Sequence, residues 1–533
     1  MRALFAVSVV LLGLRLWAAP QVGFGDSEAL YVSWALHPQP AYLDHPGLVG
    51  LVARILGEGG IPSPLRLHIV TAIAATLVPW LVVLVARAIG AKSDHAAGAG
   101  LVVAVVPEIA VGLFALTPDL LLAPAWLGAL GLAATGLSPR TEGDTAPSSQ
   151  RLVPSSHAAG ALLGAGLLAG IATAAKVSGL LLIAALAVTY VQAARLRDSN
   201  AAHTARSLWP WAGLAAGVVV LVPVVLYEAR LGWPMLRHRF VDSQQAAWSM
   251  ASLDGPSKAA HIAALLARNV GALIGGQLVY LSPIVVWMAI VTARDLVRRR
   301  NDDVVTRLLF HAFAVPIVPL LLLCLWSSVA EPHWIAPPLL ALPLHAARRA
   351  GDVVPLLRQR LVQSGAALAA GLTLVAHAWV LVPASARLRP EGVDQRADIA
   401  SELYGWPQAI ESVKEQMLVA ATPFDPEGRE VVVVGPHWTI CAQLQAALPG
   451  VRVGCATPIP DDFDRWLPRD RWRRADHVLF VTDNRFPGDG SEQLPHLVRN
   501  SQSRVRILRG GRTVRVFELY LYSRRQAAWL SPQ

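Results

Sequence analysis

Long apolar runs separated by short polar interruptions recur over the first 384 residues and then stop. A helix that crosses a bilayer needs about 20 predominantly apolar residues. Eleven runs of that kind predict spans near 3–19, 67–89, 97–116, 119–137, 157–175, 177–194, 208–228, 270–293, 307–327, 334–347 and 363–383. Residues 385–533 are patterned differently, with frequent charge and no apolar run of span length. There EVVVVGP (430–436), a helical stretch to Leu448, VRVG (451–454) and HVLFVTD (477–483) alternate as strand, helix, strand, strand. Residues 505–509 and 513–521 read as a closing hairpin around Gly510, Gly511 and Arg512. The pattern predicts a polytopic α-helical membrane protein of about 11 transmembrane helices over 1–384, followed by a small α/β domain over 385–533.

Composition agrees with the hydropathy pattern. The 533 residues are 54% hydrophobic and 15% charged, where a soluble domain carries about a quarter charged residues. A net charge of +10 would suit a nucleic-acid partner, but the Lys and Arg residues gather in short loops, so no nucleic acid is expected. Segments 86–92, the loop holding Arg140 and Arg151, 195–197, 294–300 and 348–360 all fall on one side if the N-terminus is cytoplasmic. The 20–66 loop, 117–119, Lys176, 229–269, 331–334 and 385–533 then face the extracytoplasmic side. The N-terminus has the look of a signal peptide. Arg15 interrupts its apolar core and Pro20 would follow the cleavage site, so it reads as an uncleaved first span. Cys324 reads as a packing residue, and Cys441 and Cys455 would pair only in an oxidising compartment. Abundant Ala, Leu, Arg and Gly with little Lys points to a GC-rich bacterial genome, hence a bacterial inner membrane.

The polar residues placed outside converge on one membrane face, which reads as a site. The first loop opens with GDSEALYVSW (25–34), where Asp26 and Glu28 precede a helical pattern. For either carboxylate alone, a plain helix N-cap is the simpler account. The company changes the balance: Asp44, His45 and Pro46 lie on the same loop, and Asp119 on the same face.

These residues carry a resemblance. GDSEALYVSW followed by YLDHPGLVGL (42–51) resembles the first loop of polyprenyl-phosphate-sugar-dependent glycosyltransferases of family 39, the protein O-mannosyltransferase and aminoarabinose transferase superfamily. TPD (117–119), GIATAAKVSG (170–179), GWP (232–234) and EPHWIAP (331–337) follow in order, so the resemblance covers about residues 1–350. It implies a GT-C fold with catalytic loops on the outer face, a polyprenyl-phosphate sugar as donor, and a lipid, glycan or protein acceptor at the membrane. Two positions depart from the family pattern. Ser27 separates the usual adjacent acidic pair, leaving open which carboxylate is catalytic, and Gly47 replaces the second proline of the His-Pro-Pro motif.

An inverting transfer of this kind needs a base for the acceptor and cations for the departing lipid phosphate. Asp26 is expected as the base or acceptor-positioning group, with Glu28 assisting. Asp44 and Asp119 would orient sugar, acceptor or a divalent ion. Lys176, between two apolar runs, is the phosphate candidate, with snorkelling as its alternative. Arg237 and Arg239 would grip phosphate bidentately, or merely face solvent and headgroups. His333 with Glu331, or His45 with Asp44, could bind a divalent metal ion. No zinc spacing occurs, so no metal site is assigned. Trp334 or Trp34 would stack on sugar or anchor at the interface. The competing class is a secondary transporter, which demands ionisable groups at mid-membrane. Glu108 alone among the acids lies well inside an expected span.

Overall fold

Proline decides where several apolar runs break. The computed structural model describes residues 1–138, 155–196, 199–242, 257–327, 331–350, 359–390, 395–420 and 431–524. Among these, eight helices are long and apolar enough to cross a membrane: Pro64–Ala88, Pro118–Leu137, Ser156–Ala175, Val177–Ala194, Trp209–Arg230, Ile262–Tyr280, Val304–Trp326 and Gln359–Leu381. Composition and these helices make the chain a multi-pass membrane protein. The apolar run at 97–116 is cut into Ser93–Val105 and Pro107–Ala110, because Pro107 lacks an N–H and Val106 ahead of it is extended. The run at 334–347 is cut into Pro332–Ile335, Ala336–Leu339 and Ala341–Arg348. The run at 270–293 is two helices, Ser257–Tyr280 and Pro283–Arg298, broken at Ser282 (φ 78°) ahead of Pro283.

The chain forms two units. The first comprises Met1–Leu16, Pro40–Val49 and His68–Ala376. Its Arg15 is buried, donating to the carbonyls of Ala110 (3.0 Å) and Ile109 (3.2 Å) and to Thr76 Oγ1 (2.8 Å). A charged side chain survives on an apolar helix here because otherwise unsatisfied carbonyls at the 106–110 break accept from it. Helices Ser156–Ala175 and Trp209–Arg230 cross at glycines in both partners. A Cβ on Gly166 would lie 1.9 Å from the Gly213 carbonyl oxygen, and one on Gly170 2.6 Å from Gly217 Cα. Small residues four apart let the two backbones touch, the usual route to helix association in lipid. That crossing fixes the helix whose C-terminus carries Lys176.

Three of the basic segments meet within this unit. Arg348 donates to the Ile89 carbonyl (2.9 Å) and pairs with Asp303 (2.9 Å), and Arg349 also reaches Asp303 (3.0 Å). Asp295 pairs with Arg299 (2.9 Å) and His345 (2.8 Å). The loop of Arg140 and Arg151 lies outside the described residues, as do Arg197 and 351–358.

The second unit comprises Trp17–Gln39, Gly50–Leu67 and His377–Gln533. Its five-stranded sheet is built from β1 (Val431–Gly435), β2 (Val453–Cys455), β3 (His477–Asp483), β4 (Leu497–Arg509) and β5 (Arg512–Arg524), in the order β2-β1-β3-β5-β4. β1 pairs in parallel with β2 and β3, while β5 runs antiparallel to β3 and β4. Helix Trp438–Ala447 connects β1 to β2, as the strand-helix-strand patterning predicts, and β4–β5 is the closing hairpin. Glu430 lies outside the described residues. β1 is wholly buried, which accounts for its unbroken valine run. Cys441 and Cys455 form a disulfide, with Cα atoms 5.8 Å apart. Helix Asp26–Ser33 of the first loop packs on Trp438–Ala447.

Candidate functional site

In the first unit, the site grows from helix ends. Pro118 occupies the first turn of Pro118–Leu137 and puts Asp119 beside the exposed N–H groups of that turn, where a carboxylate is favoured. Lys176 caps the C-terminus of Ser156–Ala175, and its carbonyl accepts from Gly179 N–H (2.8 Å). The two side chains meet: Lys176 Nζ donates to both Asp119 oxygens, at 2.9 and 2.8 Å. The Lys176 side chain is only 8% exposed. It is therefore held in a buried pair and does not snorkel.

Other polar groups surround this pair. His333 Nε2 lies 3.9 Å from Asp119 and its Nδ1 3.5 Å from Glu331. The turn Pro332–Ile335 that carries His333 is closed by Trp334 N–H donating to the Glu331 carbonyl (3.0 Å). Arg239 donates to Asp44 Oδ1 (3.1 Å), and its guanidinium carbon lies 5.3 Å from the Trp334 ring centroid. The Asp44–His45–Pro46 segment forms a tight loop, with Tyr42 N–H donating to the His45 carbonyl (2.9 Å) and Gly47 N–H to the Pro40 carbonyl (2.8 Å). Arg239 follows the Gly232–Trp233–Pro234 turn, in which Trp233 is left-handed (φ 60°) and the Glu228 carboxylate accepts from Met235 N–H (2.9 Å).

The electrostatics bind these groups into one cluster. Burial lowers the His333 pKa to about 4, helped by Lys176 and Arg239 and opposed by Asp119. His45 is held neutral by burial together with Lys176, Arg239 and His333. Burial raises the Glu331 carboxyl, against the pull of Lys176 and Arg239. The arrangement presents two cations, two neutral imidazoles and several carboxylates, which suits a phosphorylated, hydroxyl-rich ligand. Among the described residues, no group of three or more His, Cys, Asp or Glu side chains is arranged to hold a metal ion.

Asp44, His45, Asp119, Lys176, Arg239, Glu331, His333 and Trp334 are thus gathered in one unit. Arg237 is not among them. Its side chain is 70% exposed and pairs with Asp242 (3.3 Å).

Asp26 and Glu28 belong to the second unit. Glu28 accepts from Gly25 N–H (3.4 Å) at the start of its own helix, an N-terminal capping arrangement. Asp26 has a side chain 9% exposed; Oδ2 accepts from Arg485 Nη1 (2.7 Å) and Oδ1 from Gln443 Nε2 (3.3 Å). Arg485 also pairs with Asp483 (2.9 Å), which is shared with Arg515 (2.6 Å). Burial would raise Asp483, but Arg515 and Arg485 prevail and hold it below the usual carboxylate range. Glu402 accepts from Asp26 N–H (3.3 Å) and is pushed up to about 7 by burial and the nearby Asp26 charge. His437 stacks on Phe486 at 3.9 Å and burial lowers it to about 4. Trp34 is fully buried, edge-on to Tyr31, and is packing rather than a sugar platform.

Arg485, Gln443 and Glu402 escape a reading by motif. They sit more than 370 positions from Asp26, outside every motif of the resemblance, and nothing local marks them.

No protein-family model matches the chain, and no curated protein matches it. Solved structures do. ArnT from Cupriavidus metallidurans bound to undecaprenyl phosphate is 16% identical, with 99% of each chain covered and a TM-score of 0.56. The same protein in the apo state gives 16% identity, 99% coverage of each chain and a TM-score of 0.59. The archaeal oligosaccharyltransferase AglB from Archaeoglobus fulgidus, in complex with an inhibitory peptide and a dolichol-phosphate, is 14% identical over 92% of this chain and 69% of its own, with a TM-score of 0.51. None of these likenesses supports a transporter; the chain has the GT-C membrane fold, with a small C-terminal sheet domain.

Proposed function

We propose that the protein is a membrane glycosyltransferase that moves a sugar from a polyprenyl-phosphate-linked donor to an envelope glycolipid, glycan or protein acceptor. The observation that carries this reading is the buried Lys176–Asp119 pair beside Arg239, within a fold shared with proteins solved with undecaprenyl phosphate and dolichol-phosphate. In this reading the acceptor oxygen attacks the anomeric carbon, with inversion; a phosphate acceptor attacks as its anion, and a hydroxyl acceptor gives its proton to solvent water. The carbon–oxygen bond to phosphate breaks, and the lipid phosphate leaves with the electron pair. Lys176 and Arg239 stabilise that charge, while Asp119 and Asp44 orient the two cations. Asp26 takes the acceptor-positioning role, with Glu28 assisting. Arg485 on one oxygen and Gln443 on the other favour positioning over proton abstraction, because an arginine-bound carboxylate is a weakened base.

The proposed setting is the bacterial inner membrane, with the N-terminus cytoplasmic and the site and sheet domain extracytoplasmic. The Cys441–Cys455 disulfide supports that sidedness, since such bonds persist in oxidising compartments. The convergence of basic segments 86–92, 294–300 and 345–349 supports it from the other side.

Purified protein should release polyprenyl phosphate from at least one of a panel of radiolabelled polyprenyl-phosphate sugars, and Lys176→Met should not. A broad panel left unconsumed by the wild type would sink the proposal. For sidedness, a cysteine placed at 294–300 should resist membrane-impermeant reagent on intact cells, and one near residue 460 should react.

A further inference from the structure

Glu108 Oε1 and Gln277 Oε1, both in the first unit, are buried acceptors with no hydrogen-bond partner among the described residues. Glu108 lies on the short Pro107–Ala110 turn. Its backbone is pinned from one side by Arg15 on the carbonyls of Ile109 and Ala110. From the other side, Thr71 Oγ1 donates to the carbonyl of Phe114. The carboxyl lies within electrostatic reach of Asp119 and Lys176. Gln277 lies on Ser257–Tyr280, the helix that packs against Pro107–Ala110. Its Nε2 donates to the Pro332 carbonyl (2.8 Å), one residue from His333. That bond fixes which way the amide faces, so the unpaired atom is the oxygen. Gly276 makes the approach possible, since a Cβ there would meet Pro332 at 2.3 Å. Tyr280, one turn along, feels the charge of both Glu331 and Glu108.

A buried acceptor without a donor costs folding free energy, and two of them beside one cluster are a matched absence. What would satisfy them is a ligand rich in hydrogen-bond donors, carried by a phosphate that the adjacent cations hold. We propose that Glu108 and Gln277 form the subsite that accepts hydrogen bonds from hydroxyl groups of the transferred sugar, and so decide which sugar is used. The inference rests on the glycosyltransferase reading above. A site built to pair a hydroxyl rejects the analogue that lacks it, because the protein acceptor is then stranded.

The test compares wild type, Glu108→Gln, Glu108→Ala and Gln277→Ala on polyprenyl-phosphate sugars, including donors deoxygenated at single positions. Each alanine variant should lose about 10–100-fold in kcat/KM on the intact donor. One deoxy donor should show no further loss in the variant that pairs with the missing hydroxyl. Binding of polyprenyl phosphate without sugar should be unchanged, and Glu108→Gln, which keeps the shape, should melt as the wild type does. Wild-type turnover with variants that match it on every donor would overturn the subsite alone. Equal loss of sugar-free polyprenyl phosphate binding would do the same, since it would mark a structural or phosphate role. Failure of the wild type to consume any donor would overturn the glycosyltransferase reading and the subsite with it.

Discussion

The two carboxylate clusters are built from the same residue types and differ in what is left over. Around Asp26, in the second unit, both carboxylate oxygens are taken, Arg485, Asp483 and Arg515 continue the pairing into the sheet, and what is left over is donors, Arg485 Nη2 and Arg515 Nη2, with no hydrogen-bond partner among the described residues. Around Lys176, in the first unit, the central pair is closed but its surroundings retain unpartnered acceptors at Glu108 and Gln277. A buried carboxylate paired on both oxygens holds a fold together, whereas an unpaired buried acceptor is incomplete until a donor binds. Motif alone made Asp26 the more suggestive residue, and burial with pairing distinguishes the two.

Substitutions in the two clusters should therefore differ in readout, turnover around Lys176 and folding stability together with turnover around Asp26. The largest effect is expected at Lys176→Met, with a loss of about 100–1000-fold in kcat/KM. A Lys176→Met/Asp119→Asn double variant should recover thermal stability relative to the single change without recovering turnover, because it removes the stranded carboxylate and not the missing cation. Recovered turnover would show that Lys176 only anchors Asp119. Arg485→Ala comes next and should act on stability, at about 3–5 kcal/mol, since it leaves Asp26 buried without its cation. Denaturant unfolding would measure this, and an unchanged midpoint would refute the view that Arg485 neutralises a buried Asp26 carboxylate. Within the cations, Arg239→Ala should lower kcat/KM by roughly tenfold or more through loss of phosphate contact. Arg237→Ala, exposed and paired at the surface, should stay within about twofold.

A pH dependence is expected in the second unit. The folded-state pKa of Glu402 is raised from 4.5 to about 7, so the stability tied to its protonated form is full below 4.5 and is lost as pH rises through about 7. Glu402→Gln mimics the protonated form. The two proteins should melt alike in acid, and the variant should gain the advantage between pH 4.5 and 7. Parallel melting curves across that window would show that Glu402 is not buried as described.

How much was legible beforehand differs by element. The valine run of β1, the helix after it and the β4–β5 hairpin follow from short-range patterning that needs no partner to be recognised. Lys176 and Asp119 were visible because charge between apolar runs is expensive and therefore rare. Their direct contact was not, because 57 positions separate them and only packing of their helices makes them neighbours. The 270–293 run was misleading, since periodicity cannot distinguish one long helix from two joined at Ser282. The glycines that bring Ser156–Ala175 against Trp209–Arg230 were present as small residues four apart, but with no indication of which helices they join.

Local physics in the chain by itself determined that it spans a membrane, that a strand-rich domain follows, and that a short list of polar residues resists burial without purpose. Each of those depends on hydropathy, periodicity or the cost of charge in an apolar run, all readable within about 20 residues. Only the tertiary structure decided which of the listed residues share a site. It set Arg239 beside Asp44 and left Arg237 at the surface, two positions away. It tied Asp26 to Arg485 across 459 positions and left Glu108 Oε1 without a hydrogen-bond partner among the described residues. Hydrogen bonds and ion pairs act over a few ångströms of space, and distance in space is set by how helices and strands pack rather than by where their residues fall in the chain.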